Sequence, residues 1–97
     1  MNAENYPPIN VLSAFRGVPN KNLRYPITPY RFEKPDGSAY KIHEIRQFYS
    51  DRRGKGQHFH YIVVTENEHV FRILFDTNTF TWRLVDEVSA GLAIANK

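Results

Sequence analysis

The chain contains no cysteine, only one tryptophan and one methionine, and no proline beyond Pro35. Without cysteine there can be no disulfide, no thiolate ligand for a metal and no thiol nucleophile, and the composition fits a reducing compartment. No apolar run approaches the roughly 18 residues of a membrane span, and Met1-Asn2-Ala3-Glu4-Asn5 lacks the basic start and apolar centre of a signal peptide. The expected location is therefore the cytoplasm, with no membrane among the expected partners. Catalytic patterns are missing too. Ser13, Ser38, Ser50 and Ser89 lie in no nucleophile elbow, and the glycines form no phosphate-binding loop ahead of a helix. Glu44, Glu66, Glu68, Asp86 and Glu87 scatter over turns and ends, so an enzyme is not expected.

What is present is one domain's worth of chain. Ninety-seven residues, 41% hydrophobic and 14% aromatic, suffice for one modest core and are too apolar for general disorder. The net charge of +3 is unevenly placed: residues 1–35 hold five basic groups against two acidic ones, and residues 36–97 hold eight of each. All six prolines share that first third, where each fixes its own φ and removes a backbone donor. Residues 1–25 are thus expected to form a Pro-rich arm. It is read as extended, with Ile9, Leu12 and Phe15 laid against a sheet, in preference to a short helix behind Pro8.

The organising stretch runs from His69 to Val85. Phe71, Ile73 and Phe75 alternate on one run, and Phe80, Trp82 and Leu84 on the next, across the polar tetrapeptide Asp76-Thr77-Asn78-Thr79. Setting Phe75 opposite Phe80 would pair Ile73 with Trp82 and Arg72 with Arg83, burying six apolar residues on one face. Upstream, Ile27 to Glu33 reads as a strand that Pro26 and Pro29 mark as an edge. Lys34-Pro35-Asp36-Gly37-Ser38 is a turn. In the next strand, Tyr40 to Tyr49, Ile42 and Ile45 have opposite parity, which a bulge near His43 or Glu44, or burial on both sides, would resolve. Ser50 to Gln57 reads as a long polar connection. Phe59 to Thr65 is a central strand. A three-residue turn pairing Thr65 with His69 puts Phe59, Tyr61 and Val63 inside, a two-residue turn at Asn67-Glu68 would reverse the faces, and the first is preferred because it buries two aromatics and leaves His60 wet.

The expected fold is an all-β antiparallel meander of about five strands over residues 26–88, either a half-open barrel or a single curved sheet covered by the N-terminal arm, with a tail over 89–97. The run from Tyr40 to Val88, with its Ile42-His43-Glu44-Ile45, Asp51-Arg52-Arg53, His58-Phe59-His60-Tyr61 and Trp82-Arg83-Leu84-Val85, resembles short bacterial conserved hypothetical β-rich domains of unknown function. The likeness covers the latter two thirds of the chain. It implies a free-standing β-rich domain and brings no active site, cofactor or ligand with it.

The candidate binding residues are Arg46, Arg52, Arg53, Lys55, His58, His60, Arg72 and Arg83. Positive charge interleaved with Phe48, Tyr49, Phe59 and Tyr61 is what single-stranded nucleic acid uses, through phosphate attraction and base stacking. The bland alternative is a solvated loop with salt bridges to Glu44, Asp51 or Glu66. A neutral sheet argues against strong DNA binding, so the primary expectation is a non-enzymatic interaction domain. Its partner would be a protein or peptide, or a second copy of the chain, with single-stranded RNA or DNA as the alternative. His58 and His60 share a strand face and could share zinc or nickel, with His43 and His69 as further donors. The pattern has no third ligand at fixed spacing, so neither metal nor cofactor is assigned. A small metal-independent ribonuclease built on His58 or His60 beside Arg52, Arg53 and Lys55 is a remote reading, because any basic loop beside a histidine looks alike.

Overall fold

A computed structural model of the protein describes residues 5–18 and 24–88. The expected tail at 89–97 and parts of the arm lie outside the described residues. Six strands follow in chain order: β1 (Pro8–Phe15), β2 (Ile27–Glu33), β3 (Ala39–Arg53), β4 (Gly56–Thr65), β5 (Val70–Asp76) and β6 (Thr81–Val88). Each pairs antiparallel with the next, and β1 returns to β6 to close a barrel. The arm therefore contributes a strand of its own. Its Ile9 stands opposite Trp82, and the Leu84 N–H donates to the Pro7 carbonyl at 2.9 Å. Closure hides the sheet edges that an open meander would leave bare. No helix among the described residues is long and apolar enough to cross a membrane.

The interior follows from the alternation. Phe32, Tyr61, Val63, Phe71, Ile73 and Phe75 are buried to 2% exposure or less, and Ile9, Ile27 and Trp82 join them. Rings meet edge to face or tilted, as in Phe32 with Phe71 at 5.1 Å and Phe75 with Trp82 at 5.1 Å, the arrangement that aromatic quadrupoles favour. The Tyr61 hydroxyl donates to the Ile27 carbonyl inside the barrel, which satisfies the one polar group that its ring carries into the core. Burial pushes its ionisation well above the ordinary tyrosine range.

Ladder geometry corrects three expectations. Phe75 pairs with Trp82 and Ile73 with Leu84, because Asp76 stays in the strand: its carboxylate accepts from the Asn78 N–H at 2.9 Å and shifts the turn to Thr77–Phe80. Phe80 then closes the turn at a φ of 59°, 68% exposed, with its ring stacked on Phe15 at 5.8 Å. A bulge between Arg72 and Ile73 next sets Arg72 opposite Asp86, so the expected Arg72–Arg83 clash does not exist. The second correction concerns 50–57. It is not a long connection: β3 and β4 run on to a two-residue turn at Gly54-Lys55, with Arg53 opposite Gly56. Gly54 holds a φ of 61°, the left-handed conformation that tight hairpins require of glycine. Third, β2 is not an edge strand, since β1 pairs with it on one side and β3 on the other, although Pro29 itself sits on a stretch that β3 leaves unpaired. Its missing N–H is harmless because the β2–β3 ladder covers only Arg31 to Glu33.

Other expectations hold. The Thr65 N–H donates to the His69 carbonyl at 2.9 Å and the His69 N–H donates to Thr65 Oγ1 at 3.0 Å, which closes the three-residue turn. The parity conflict in β3 is resolved by a bulge at His43, between Ile42 and Glu44, and by a second between Ile45 and Gln47. Together they turn Ile42, Ile45 and Phe48 toward the core.

Candidate functional site

Antiparallel pairing decides which charged side chains meet. On β3 and β4 the pairs Gln47–Ile62, Tyr49–His60, Asp51–His58 and Arg53–Gly56 fall on the side opposite the core, while Phe48–Tyr61 and Ser50–Phe59 face inward. On β5 and β6 the outward set includes Arg72, Leu74, Asp76, Arg83 and Asp86. Alternation thus assembles one outer face from four strands. Arg53, His58, His60, Arg72 and Arg83 share it. Arg52 pairs with Gln57 and so points to the other side of the hairpin, Lys55 caps the hairpin tip, and Arg46 sits in the second β3 bulge beside Glu44 at 3.9 Å.

The cations on this face are mostly balanced. Arg72 makes a two-pronged pair with Asp86, Nε to Oδ1 at 2.8 Å and Nη2 to Oδ2 at 2.9 Å, and those bonds push its guanidinium pKa further up. Arg53 Nη2 donates to Asp51 Oδ2 at 3.2 Å. Arg83 Nη1 donates to the Tyr6 carbonyl at 2.9 Å, which ties the arm over the face. Two of the expected salt bridges are present, Arg46 with Glu44 and Arg53 with Asp51, whereas Glu66 pairs with Lys41 at 3.7 Å, outside the basic cluster. Arg52 and Lys55 carry no ion pair among the described residues.

At the centre of the face lies a groove of about 440 Å³, bordered by Tyr6, Gln47, Tyr49, His60, Ile62 and Arg72. Its wall is a stack: the Tyr49 ring lies on the His60 imidazole, centroids 4.4 Å apart and planes 6° from parallel. Tyr49 is 50% exposed. His60 is less wet than the alternation suggests, at 21% side-chain exposure, and desolvation, partly opposed by Asp51, lowers its pKa below the usual imidazole value. Toward the hairpin tip, Asp51, His58 and His60 bring their donor atoms within 4.8 Å of one another. Asp76 reaches His58 from the next strand, Oδ2 to Nε2 at 3.5 Å.

No family model, curated protein or solved structure matches this chain.

Sequence reasoning missed Tyr6, Tyr49, Asp51 and Asp76 as neighbours of the candidate histidines. Counting back from a tight turn at Gly54-Lys55 would have set Asp51 opposite His58 and Tyr49 opposite His60. Tyr6 left no such signal, because the arm reaches the face only through barrel closure.

Proposed function

We propose that the chain is a non-enzymatic binding domain that presents the outer face of β3–β6 to its partner in the cytoplasm. The observation that carries this reading is the Tyr49–His60 stack at the rim of the groove: a half-exposed ring held flat beside a concavity of about 440 Å³. A volume of that order accepts one flat ring or a few side chains. Because Arg53 and Arg72 are already matched by Asp51 and Asp86, shape and stacking select the partner more than charge does. A protein or peptide that inserts an aromatic side chain fits that balance. Panning a phage-displayed peptide library on the wild-type chain, with counter-selection on Tyr49→Ala, is expected to enrich aromatic-bearing peptides that the variant no longer holds. Enriched peptides that bind both proteins equally would remove the groove from consideration.

Single-stranded nucleic acid is the second reading, favoured by Lys55 and Arg52, which stand without ion pairs at the tip of the hairpin that carries Tyr49, Arg52 on the side away from that ring. Two phosphate contacts would give a shallow salt dependence, a log–log slope of about −1.4, and Tyr49 would stack a base. Fluorescence anisotropy with labelled oligo(U) and oligo(dT) at low salt tests it. Flat titrations to high micromolar protein would retire it.

A further inference from the structure

We propose that Asp51, His58 and His60 form a zinc-binding site on the outer face of the β3–β4 hairpin. The ligand set comes from one local rule. Asp51 and His58 are directly opposed in the ladder and His60 is two residues along the same strand, so all three side chains leave the sheet on one side. Their donor atoms already lie within 4.8 Å of one another. Bound at ~2.0–2.2 Å, tetrahedral ligand atoms sit ~3.4 Å apart, a closure that side-chain torsions can supply without moving the strands.

An independent observation points the same way. Asp51 Oδ1 and His60 Nε2 are both shielded from solvent and without a hydrogen-bond partner, the Asp51 Oδ2 atom lying 3.6 Å from His60 Nε2, beyond hydrogen-bond distance. Groups left so are costly, and a single cation between them would satisfy both. The two oxygens of Asp51 can divide the work: Oδ2 keeps its bond from Arg53 at 3.2 Å, and Oδ1 is left for the metal. Asp76 lies 3.5 Å from His58 Nε2, so His58 would bind the metal through Nδ1 and leave Nε2 to the carboxylate, the arrangement in which a carboxylate orients a metal-bound imidazole. Two imidazoles and one carboxylate are borderline-to-hard donors, which suits zinc over calcium or magnesium. With three protein ligands the fourth position falls to water. The inference does not depend on any ligand in the Tyr49 groove.

Isothermal titration of tag-free, chelator-treated protein with zinc chloride tests it, with cobalt as a spectroscopic probe. The expected result is one zinc per chain at micromolar or tighter affinity, and a cobalt complex with the intense visible bands of tetrahedral coordination. Asp51→Asn and His60→Gln are each expected to weaken zinc at least tenfold while the far-UV circular dichroism and thermal midpoint of the metal-free protein stay put. Because those residues are partly exposed, both variants should fold. On the wild type, a long-range imidazole NMR spectrum should show the His58 and His60 nitrogens shifting together on zinc addition. The site is overturned by no heat at hundred-micromolar zinc, by affinity unchanged in both variants, or by zinc shifting His43 or His69 instead.

Discussion

The two sides of β4 were built by the same alternation and hold the barrel in opposite ways. Phe59, Tyr61 and Val63 face a continuous set of rings and branched aliphatics, whereas His58, His60 and Ile62 face a surface where charges cancel locally. Inside, apolar area removed from water supplies the stabilisation, roughly 1.5–3 kcal/mol for each large side chain. Outside, ion pairs half open to water supply little individually, and what they determine is which side chains are held where. The inner side thus specifies the fold and the outer side specifies a surface.

The largest test of that contrast is Phe71→Ala. Phe71 is fully buried and packs on Phe32 and Tyr40, so its truncation is expected to cost about 3–5 kcal/mol, read as a lower urea midpoint with little change in slope. Tyr61→Phe is a subtler cut on the same side. It keeps the ring and leaves the Ile27 carbonyl without its donor, for an expected loss of about 1–3 kcal/mol. A neutral result would mean that water replaces the hydroxyl, and the inner side would be less dry than it looks.

On the outer side, Arg72→Met is expected to change stability by less than about 1 kcal/mol, because the pair with Asp86 is roughly half exposed and solvent screens it. Were it to cost as much as Phe71→Ala, the contrast between the two sides would fail. The smallest expected effect lies away from both. Asp36 accepts from the Ser38 N–H at 2.9 Å, and that bond holds its carboxyl below the usual value of 3.8. A depressed carboxyl contributes stability above its unfolded pKa that is lost as pH falls through the folded one. Asp36→Asn should therefore lower the thermal midpoint slightly at neutral pH and flatten its acid limb below about pH 4, the two proteins converging as pH falls.

Much of the fold was legible from one-dimensional pattern. Alternating Phe71, Ile73 and Phe75 gave the buried side of β5, the preference for burying Phe59 and Tyr61 selected the three-residue turn over a two-residue one, and the parity clash of Ile42 with Ile45 pointed to a bulge, found at His43, or to burial on both sides. The misreadings share a cause. Register at β5–β6 hung on Asp76 capping its own turn and on a bulge at Val85, and neither leaves a mark in the apolar period. Polar composition at 50–57 looked like a loop because the hairpin there projects past the core, where no hydrophobic face is needed for strands to pair.

Composition and period, then, determined by themselves that this chain forms an antiparallel β domain and most of the rings that fill it, Phe80 excepted, since burial of alternate residues within a strand depends on local spacing. Whether the proline-rich start would cover the sheet or join it was decided by closure, because β1 finds donors and acceptors on β2 and β6 that no local rule can foresee. The outer face divides in the same way. Asp51, His58, His60 and Asp76 are aligned by the two hairpin turns that join β3 to β4 and β4 to β5, but Tyr6 reaches that face only because the barrel closes.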